Sequence, residues 1–200
     1  MKRLVVGLFS CFLGTSAAAL PIQWTPASGG NGHWYEVIDE PADWHTARAD
    51  AVTRIWNDLQ GYLVSITSAA ENNFILNTLN PSQFGALWSG GTDAESEGIF
   101  TWVDGPEDGQ IFRNGTIYTG YSAWFAGEPN DSGSEDFVEI GFFANFWSDR
   151  PGSQPWSYIV EYGGISASEP IVAPLPDSGL LLMAGIGALF LSSRRKGRTR

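Results

Sequence analysis

Cysteine is nearly absent from this 200-residue chain, which has only Cys11. One thiol excludes an internal disulfide, a thiolate zinc site and a cysteine-held iron–sulfur cluster. Histidine is almost as scarce. His33 and His45 lack a third partner at metal spacing and read as structural or surface groups rather than ligands. Positive charge is missing from the middle of the chain. Lys2 and Arg3 stand at the start, and Arg194, Arg195, Lys196, Arg198 and Arg200 at the end. Residues 20–176 hold only Arg48, Arg54, Arg113 and Arg150 against 21 acids, a net of −17 with no lysine. Such a body is repelled by nucleic acid and by anionic lipid. A serine nucleophile would need an elbow such as Gly-x-Ser-x-Gly, and none is written here. Paired carboxylates serve glycosidases, but no isolated acid stands in an apolar setting, so no catalysis is expected.

What is present is a folding chain. It is 43% hydrophobic and 14% aromatic, with nine tryptophans, which is not the composition of a disordered segment. The length fits one domain with extras. Residues 1–19 read as a secretory leader: Lys2 and Arg3, an apolar run from Leu4 to Leu13, then Ala17, Ala18 and Ala19 as a small-residue cleavage site. Cys11 lies inside it, so the mature chain is expected to be free of cysteine. Residues 20–32 form a Gly/Pro/Ser-rich lead-in, residues 33–163 the domain, residues 164–173 a linker and residues 174–200 a terminal segment. In that last segment Pro174-Leu175-Pro176-Asp177-Ser178 precedes an apolar run from Gly179 and the basic tail. The expected membrane helix, residues 179–193, is short against the ~20 residues a spanning helix needs. The cations after it fit a cytoplasmic end.

The Pro-Leu-Pro-x-Ser sequence, the short helix and the Arg-rich end resemble the PEP-CTERM class of bacterial sorting signals, close to its Val-Pro-Leu-Pro-Ala variant. Ala173 and Asp177-Ser178 depart from that variant's commonest letters. The resemblance covers residues 172–200. It implies an exported Gram-negative protein held transiently in the inner membrane, cut by an exosortase-type protease and linked to the cell surface or to exopolysaccharide.

Within the domain, His33 to Ile38 is aromatic and β-branched and predicts a strand. Asp43 is placed to cap a helix carrying Trp44, Ala47, Ala51, Ile55 and Leu59, stopped by Gly61. Tyr62 to Ile66 predicts a short strand. Ser68 and Glu71 have capping-box spacing before a second helix through Phe74, Ile75 and Leu79, ended by Asn80-Pro81. Short strands follow at 84–90, 100–103, 137–141, 146–148 and 156–162. Two helices and then several strands predict an α+β fold. Residues 105–136 form a long, polar, glycine-rich stretch, and a loop of that length is uncommon unless it is functional or held by ions.

The acids cluster. Asp93, Glu95 and Glu97 follow Trp88-Ser89-Gly90-Gly91-Thr92, and Glu128-Pro129-Asn130-Asp131 precedes Glu135-Asp136 and Trp147-Ser148-Asp149. Hard oxygen ligands interleaved with Gly, Ser and Pro suit calcium, which takes about 6–8 oxygens in irregular geometry. Like charges this close repel unless a cation joins them. The spacing is not that of an EF-hand, and a solvated acidic loop is the alternative reading.

Taken in order, these motifs resemble the C-type lectin-like domain. The matches are His33-Trp34-Tyr35-Glu36, the Trp44–Ala47–Ala51 helix, Gly61 to Ile66, Glu71-Asn72, Leu87 to Gly91 and Gly98 to Gly105. Trp124 with Gly127 to Asn130, Glu135-Asp136, Trp147-Ser148-Asp149 and Tyr158 to Glu161 complete the series. The resemblance covers about 130 residues and implies a C-type lectin-like fold. It implies a sugar-binding Ca2+ held by Glu128, Asn130, Glu135 and Asp149, and a second, auxiliary Ca2+ on Asp93, Glu97, Asp131, Glu135 and Asp136. It also implies a cis peptide before Pro129 and mannose-type selectivity from Glu-Pro-Asn. The family usually has Asn where Ser148 stands, so Ser148 would donate to a sugar or ligate through water. The family usually carries two disulfides; here Phe137 and Val160 stand at cysteine positions, and apolar packing would replace the staples. The implied function is calcium-dependent glycan binding, the alternative a calcium-stabilised protein-binding or matrix module.

Overall fold

The computed structural model describes residues 20–143 and 146–167. The expected leader, the terminal sorting segment and Cys11 lie outside the described residues. Among the described residues no helix is long and apolar enough to cross a membrane.

The strands are β1 (Ile22–Gln23), β2 (Trp34–Ala42), β3 (Ile55–Trp56), β4 (Leu59–Leu63), β5 (Leu87–Thr92), β6 (Ile99–Trp102), β7 (Ile111–Asn114), β8 (Ile117–Tyr118), β9 (Phe137–Phe143), β10 (Phe146–Arg150) and β11 (Trp156–Ser166). Two helices, α1 (Trp44–Ala51) and α2 (Ala69–Phe74), lie between them, and α2 runs on into one wide turn, Ile75–Leu79. Two helices among short, mostly antiparallel strands make the α+β fold that the sequence predicts. β11 is the spine: it pairs antiparallel with β2 and β4 and parallel with β5. From β5 the sheet runs through β6, β7 and β8, and β9 branches from β5 to carry β10.

Local chemistry explains the helices. The Asp43 carboxylate accepts from the Thr46 N–H at 3.0 Å and the Ser68 hydroxyl from the Glu71 N–H at 3.1 Å. Each satisfies one of the donors a helix start leaves open. The first helix is shorter than its pattern predicts and ends at Ala51. Asn57 and Asp58 both have positive φ (50° and 62°) and form a two-residue hairpin turn between β3 and β4. That turn type favours Asn and Asp because both central residues must adopt left-handed backbone. Ile55, expected on the helix's inner face, is 63% exposed on β3. The stretch 105–136 is also not structureless, because the β7–β8 hairpin occupies part of it. The lead-in packs too: β1 pairs with β2, and Trp24 stacks on Phe74 at 5.6 Å.

Two apolar clusters fill the interior. One gathers Trp102, Phe112, Trp147, Ile140 and Ile159, the other Trp44, Trp88, Phe137, Val160 and Tyr162. Phe137 and Val160 belong to the same cluster, and Phe137 packs on Trp44 at 4.5 Å. Apolar contact therefore occupies both positions at which the resemblance implies cysteine.

Candidate functional site

Asp149 lies on β10 beside Trp147, and it organises the loop that approaches it. Its carboxylate accepts from the backbone N–H of Asn130 at 3.0 and 3.1 Å and of Asp131 at 2.9 Å. Asp131 Oδ1 in turn accepts from the Glu135 N–H at 3.0 Å, and Glu135 Oε2 from the Ser132 N–H at 3.2 Å. The loop is thus folded around carboxylates by its own amides. The Glu128–Pro129 peptide is cis. The loop's entry is fixed to the same strand: Trp147 donates its N–H to Ala123, Phe125 donates to the Trp147 carbonyl, and Glu128 donates to the Phe125 carbonyl, each at 2.9 Å.

This arrangement gathers charge. Glu128, Glu135 and Asp149 bring one carboxylate oxygen each to within 4.8 Å of one another. Among the described residues no other acidic, histidine or cysteine trio does so. Burial and the adjacent Asp149 push Glu128 up to about 7. Arg150 relieves Glu135 at 3.3 Å from the far side. Asn130 Nδ2 donates to Glu128 Oε2 at 2.6 Å, so the Glu128–Asn130 pair presents an acceptor and a donor side by side. These oxygens are hard, close-set and short of positive charge, which fits a calcium ion.

The auxiliary set is looser. Asp93 ends just beyond β5 and is only 3% exposed. Its Oδ2 accepts from the Gly98 N–H at 2.9 Å, while its Oδ1 is buried without a partner. Burial, with the nearby charges of Glu97 and Asp136, pushes it up to about 7. Its N–H donates to the Asp136 carbonyl at 3.1 Å. Glu97 and Asp131 line a cavity of about 230 Å³ with Asn130, Asp149 and Arg113. An orphaned buried carboxylate oxygen between two acids fits a second cation.

Ser148 stands apart from both sets. It is fully buried, pairs across the sheet with Glu139 and donates its hydroxyl to that carboxylate.

The Lectin C-type domain profile matches residues 45–160. The chain belongs to the C-type lectin family. Halomucin of Haloquadratum walsbyi is 37% identical over 147 residues, covering 72% of this C-type lectin chain and 2% of its own length. The CD209 antigen of Nomascus concolor is 31% identical over 160 residues, covering 78% of this chain and 35% of its own. The chain therefore spans little more than a third, at most, of these two relatives. The C-type lectin CEL-I from Cucumaria echinata superposes with a TM-score of 0.55 at 26% identity, over 67% of this chain and 92% of that one. Herring type II antifreeze protein shares the fold, with a TM-score of 0.53 at 20% identity.

One feature of this lectin domain escaped sequence reasoning. Glu71 and Glu161, visible only as motif letters, form a buried acid pair. Tyr35 donates to Glu71 at 2.6 Å and to Glu161 at 3.2 Å, and the His33 ring bonds Glu161 at 2.6 Å. Asn31 and Thr67 complete the shell around Glu71. This corrects the expectation that no acid stands in an apolar setting: Glu161 lies between Val160 and Tyr162 in an apolar strand and is buried, and a charge there must find partners.

Proposed function

We propose that the domain binds glycans through a calcium ion held by Glu128, Asn130, Glu135 and Asp149. The observation that carries the reading is the trio of carboxylate oxygens within 4.8 Å beside the Glu128–Asn130 acceptor–donor pair. The names of the relatives support it, CEL-I and the C-type lectin profile above all. Bound there, the ion would supply open coordination positions for two vicinal sugar hydroxyls. Glu128 would accept from a hydroxyl, and Asn130 would turn its amide from Glu128 to donate to one. Asp149 holds the loop in place by its three backbone hydrogen bonds. Ser148 would support the strand through Glu139 rather than enter the shell. The Glu-Pro-Asn order favours mannose-type hydroxyls. A second ion on Asp93, Glu97, Asp131, Glu135 and Asp136 would serve stability. The reading extends to location: export by the leader, then surface or exopolysaccharide association after exosortase-type cutting.

The alternative is a calcium-stabilised protein-binding or matrix module. Its support is Ser148, whose hydroxyl is committed to Glu139 where relatives usually have an amide. Fold does not decide between them. Binding to a glycan array with calcium and with chelator, alongside Glu128→Gln, does. Hits that need calcium and vanish in the variant establish the lectin. Silence with calcium still bound establishes the module.

A further inference from the structure

Beside the candidate site lies a wider hollow of about 490 Å³, lined by Tyr118, Tyr121, Ser122, Trp124 and Phe146. In a body carrying −17, it has no charged side chain in its lining. Tyr118 is 57% exposed and Phe146 46%. Large aromatic groups left open to water together, rather than singly, mark a binding surface.

The hollow and the candidate site share a wall and a foundation. Arg113 lines the cavity that holds Pro129, Asn130 and Asp149. Its guanidinium also lies over the rings of Tyr118 at 5.7 Å and Trp124 at 5.5 Å. Arg113 Nε donates to the Gly115 carbonyl at 2.7 Å, which fixes the guanidinium over both rings. Beneath, Tyr121 and Trp124 stand edge-on to Trp147, at 5.7 and 6.0 Å with interplanar angles of 83° and 77°. Trp147 belongs to the same strand as Asp149. Phe146 and Asp149 are three residues apart on that strand, roughly 10 Å at strand rise. Phe125, which accepts the Glu128 N–H, packs edge-on to Phe146 at 6.0 Å.

We infer that the hollow is a second sugar subsite, continuous with the first, and that the ligand is an uncharged oligosaccharide or polysaccharide rather than a single sugar. This rests on the glycan reading above. A pyranose ring has an apolar C–H face and a rim of hydroxyls. Tyr118 and Phe146 offer faces to the first, while Ser122 and the tyrosine hydroxyls offer partners to the second. Tyr121 and Trp124 are seated on buried Trp147, Tyr118 lies under Arg113 and Phe146 packs on Phe125, so these rings lose little freedom on binding and contact there converts efficiently into affinity. A uronic or sulfated unit would find one cation, Arg113, already engaged with the Tyr118 and Trp124 rings, and would otherwise meet the acidic body.

The test is calorimetric titration of the full chain, in calcium, with methyl α-mannoside and with a linear α-mannotriose. The wild type is expected to bind the trisaccharide about tenfold tighter, equivalent to ~1.4 kcal/mol. Tyr118→Ala and Phe146→Ala, both at exposed positions, are expected to reduce that ratio to near one. Tyr118→Phe is expected to keep most of it. A ratio near one in the wild type, or a ratio preserved in both alanine variants, overturns the subsite while leaving the primary site standing. Absence of binding to both sugars in calcium overturns the glycan reading itself, and the subsite with it. Loss of self-association in the variants, read by sedimentation, would instead make the hollow a contact between copies and overturn the inference.

Discussion

Asp93→Asn should change the sign of its effect on stability with calcium. In the protein the Asp93 carboxylate is buried, one oxygen bonded to the Gly98 N–H and the other to nothing, with Glu97 and Asp136 close by. An unpaired buried polar atom costs about 1–3 kcal/mol, more when charged. Asparagine keeps an oxygen for Gly98 and removes the charge. Its amide faces acids to which it can donate. In chelator the variant is therefore expected to be more stable by ~1–3 kcal/mol, about 3–10 °C in melting temperature for a domain of this size. In calcium the wild type should gain the binding free energy, ~2.7 kcal/mol at a hundredfold excess over Kd. The variant has lost a ligand and should gain much less. Two melts of each protein, at matched ionic strength with EGTA or with calcium, decide the matter. If the variant is less stable by the same amount in both buffers, Asp93 serves only to anchor the Gly98 turn. The argument for a cation there then fails.

Three further outcomes follow from other parts of the fold. Ser148→Ala removes a hydrogen bond to a buried carboxylate and should lower stability by about 1.5–3 kcal/mol in urea titration, with calcium affinity nearly unchanged; a large loss of calcium affinity would return Ser148 to the ion's shell. Gly61→Ala would set a methyl 2.7 Å from the Ala51 carbonyl oxygen and 2.9 Å from Tyr162 and Val160, so an overpacking cost of ~1–3 kcal/mol is expected by thermal melt, and a neutral result would mean that α1 is free to move off β4. Burial lowers His33, but its bond to Glu161 and that group's charge outweigh it, and the histidine is raised above 6.5. Burial and the charge of Glu71 raise Glu161 from 4.5. Groups raised on folding give stability that is present at low pH and lost as pH rises through the folded value. With calcium present, the urea midpoint should therefore fall between pH 6 and 8, and the fall should be shallower in His33→Gln; identical slopes would show that the pair does not titrate with folding.

The parts of this fold that were legible in the sequence are those governed by neighbours in the chain. Asp43 and Ser68 announce helix starts because capping is a local bond, and the β-branched and aromatic runs announce strands. The first helix was overextended because Ile55 and Leu59 fall at helical spacing. The two residues that decide otherwise, Asn57 and Asp58, form a turn signal weaker than Asn-Gly. The candidate ligands are named from the family's motifs, which keep their order along the chain. Spacing alone left a solvated acidic loop as an equal reading. Only the fold brings Asp149 to the amides of Asn130 and Asp131. Ser148 enters the expected sugar site because it stands where the family usually has Asn. Its cross-strand partner Glu139, which takes the hydroxyl, could not be assigned without the register of β9 and β10.

The lack of cysteine in residues 20–167 and the buried acid pair bear on one another. A chain without disulfides must join its ends to its core by other means. Here His33, from the start of the domain, and Glu161, from its last strand, meet at 2.6 Å, with Tyr35 and Asn31 tying both ends to Glu71 on α2. Gly163 permits the closure, since a Cβ there would fall 2.1 Å from the His33 ring. The clasp does not constrain the unfolded chain as a covalent bridge does, so it contributes only what burial and hydrogen bonds give, and those depend on protonation. Domain closure in this protein should therefore respond to pH at one end and to calcium at the other, through two separate sets of acids. Combining His33→Gln with Asp93→Asn should give additive changes in stability, within about 0.5 kcal/mol. A larger coupling would mean that the two ends open as one unit.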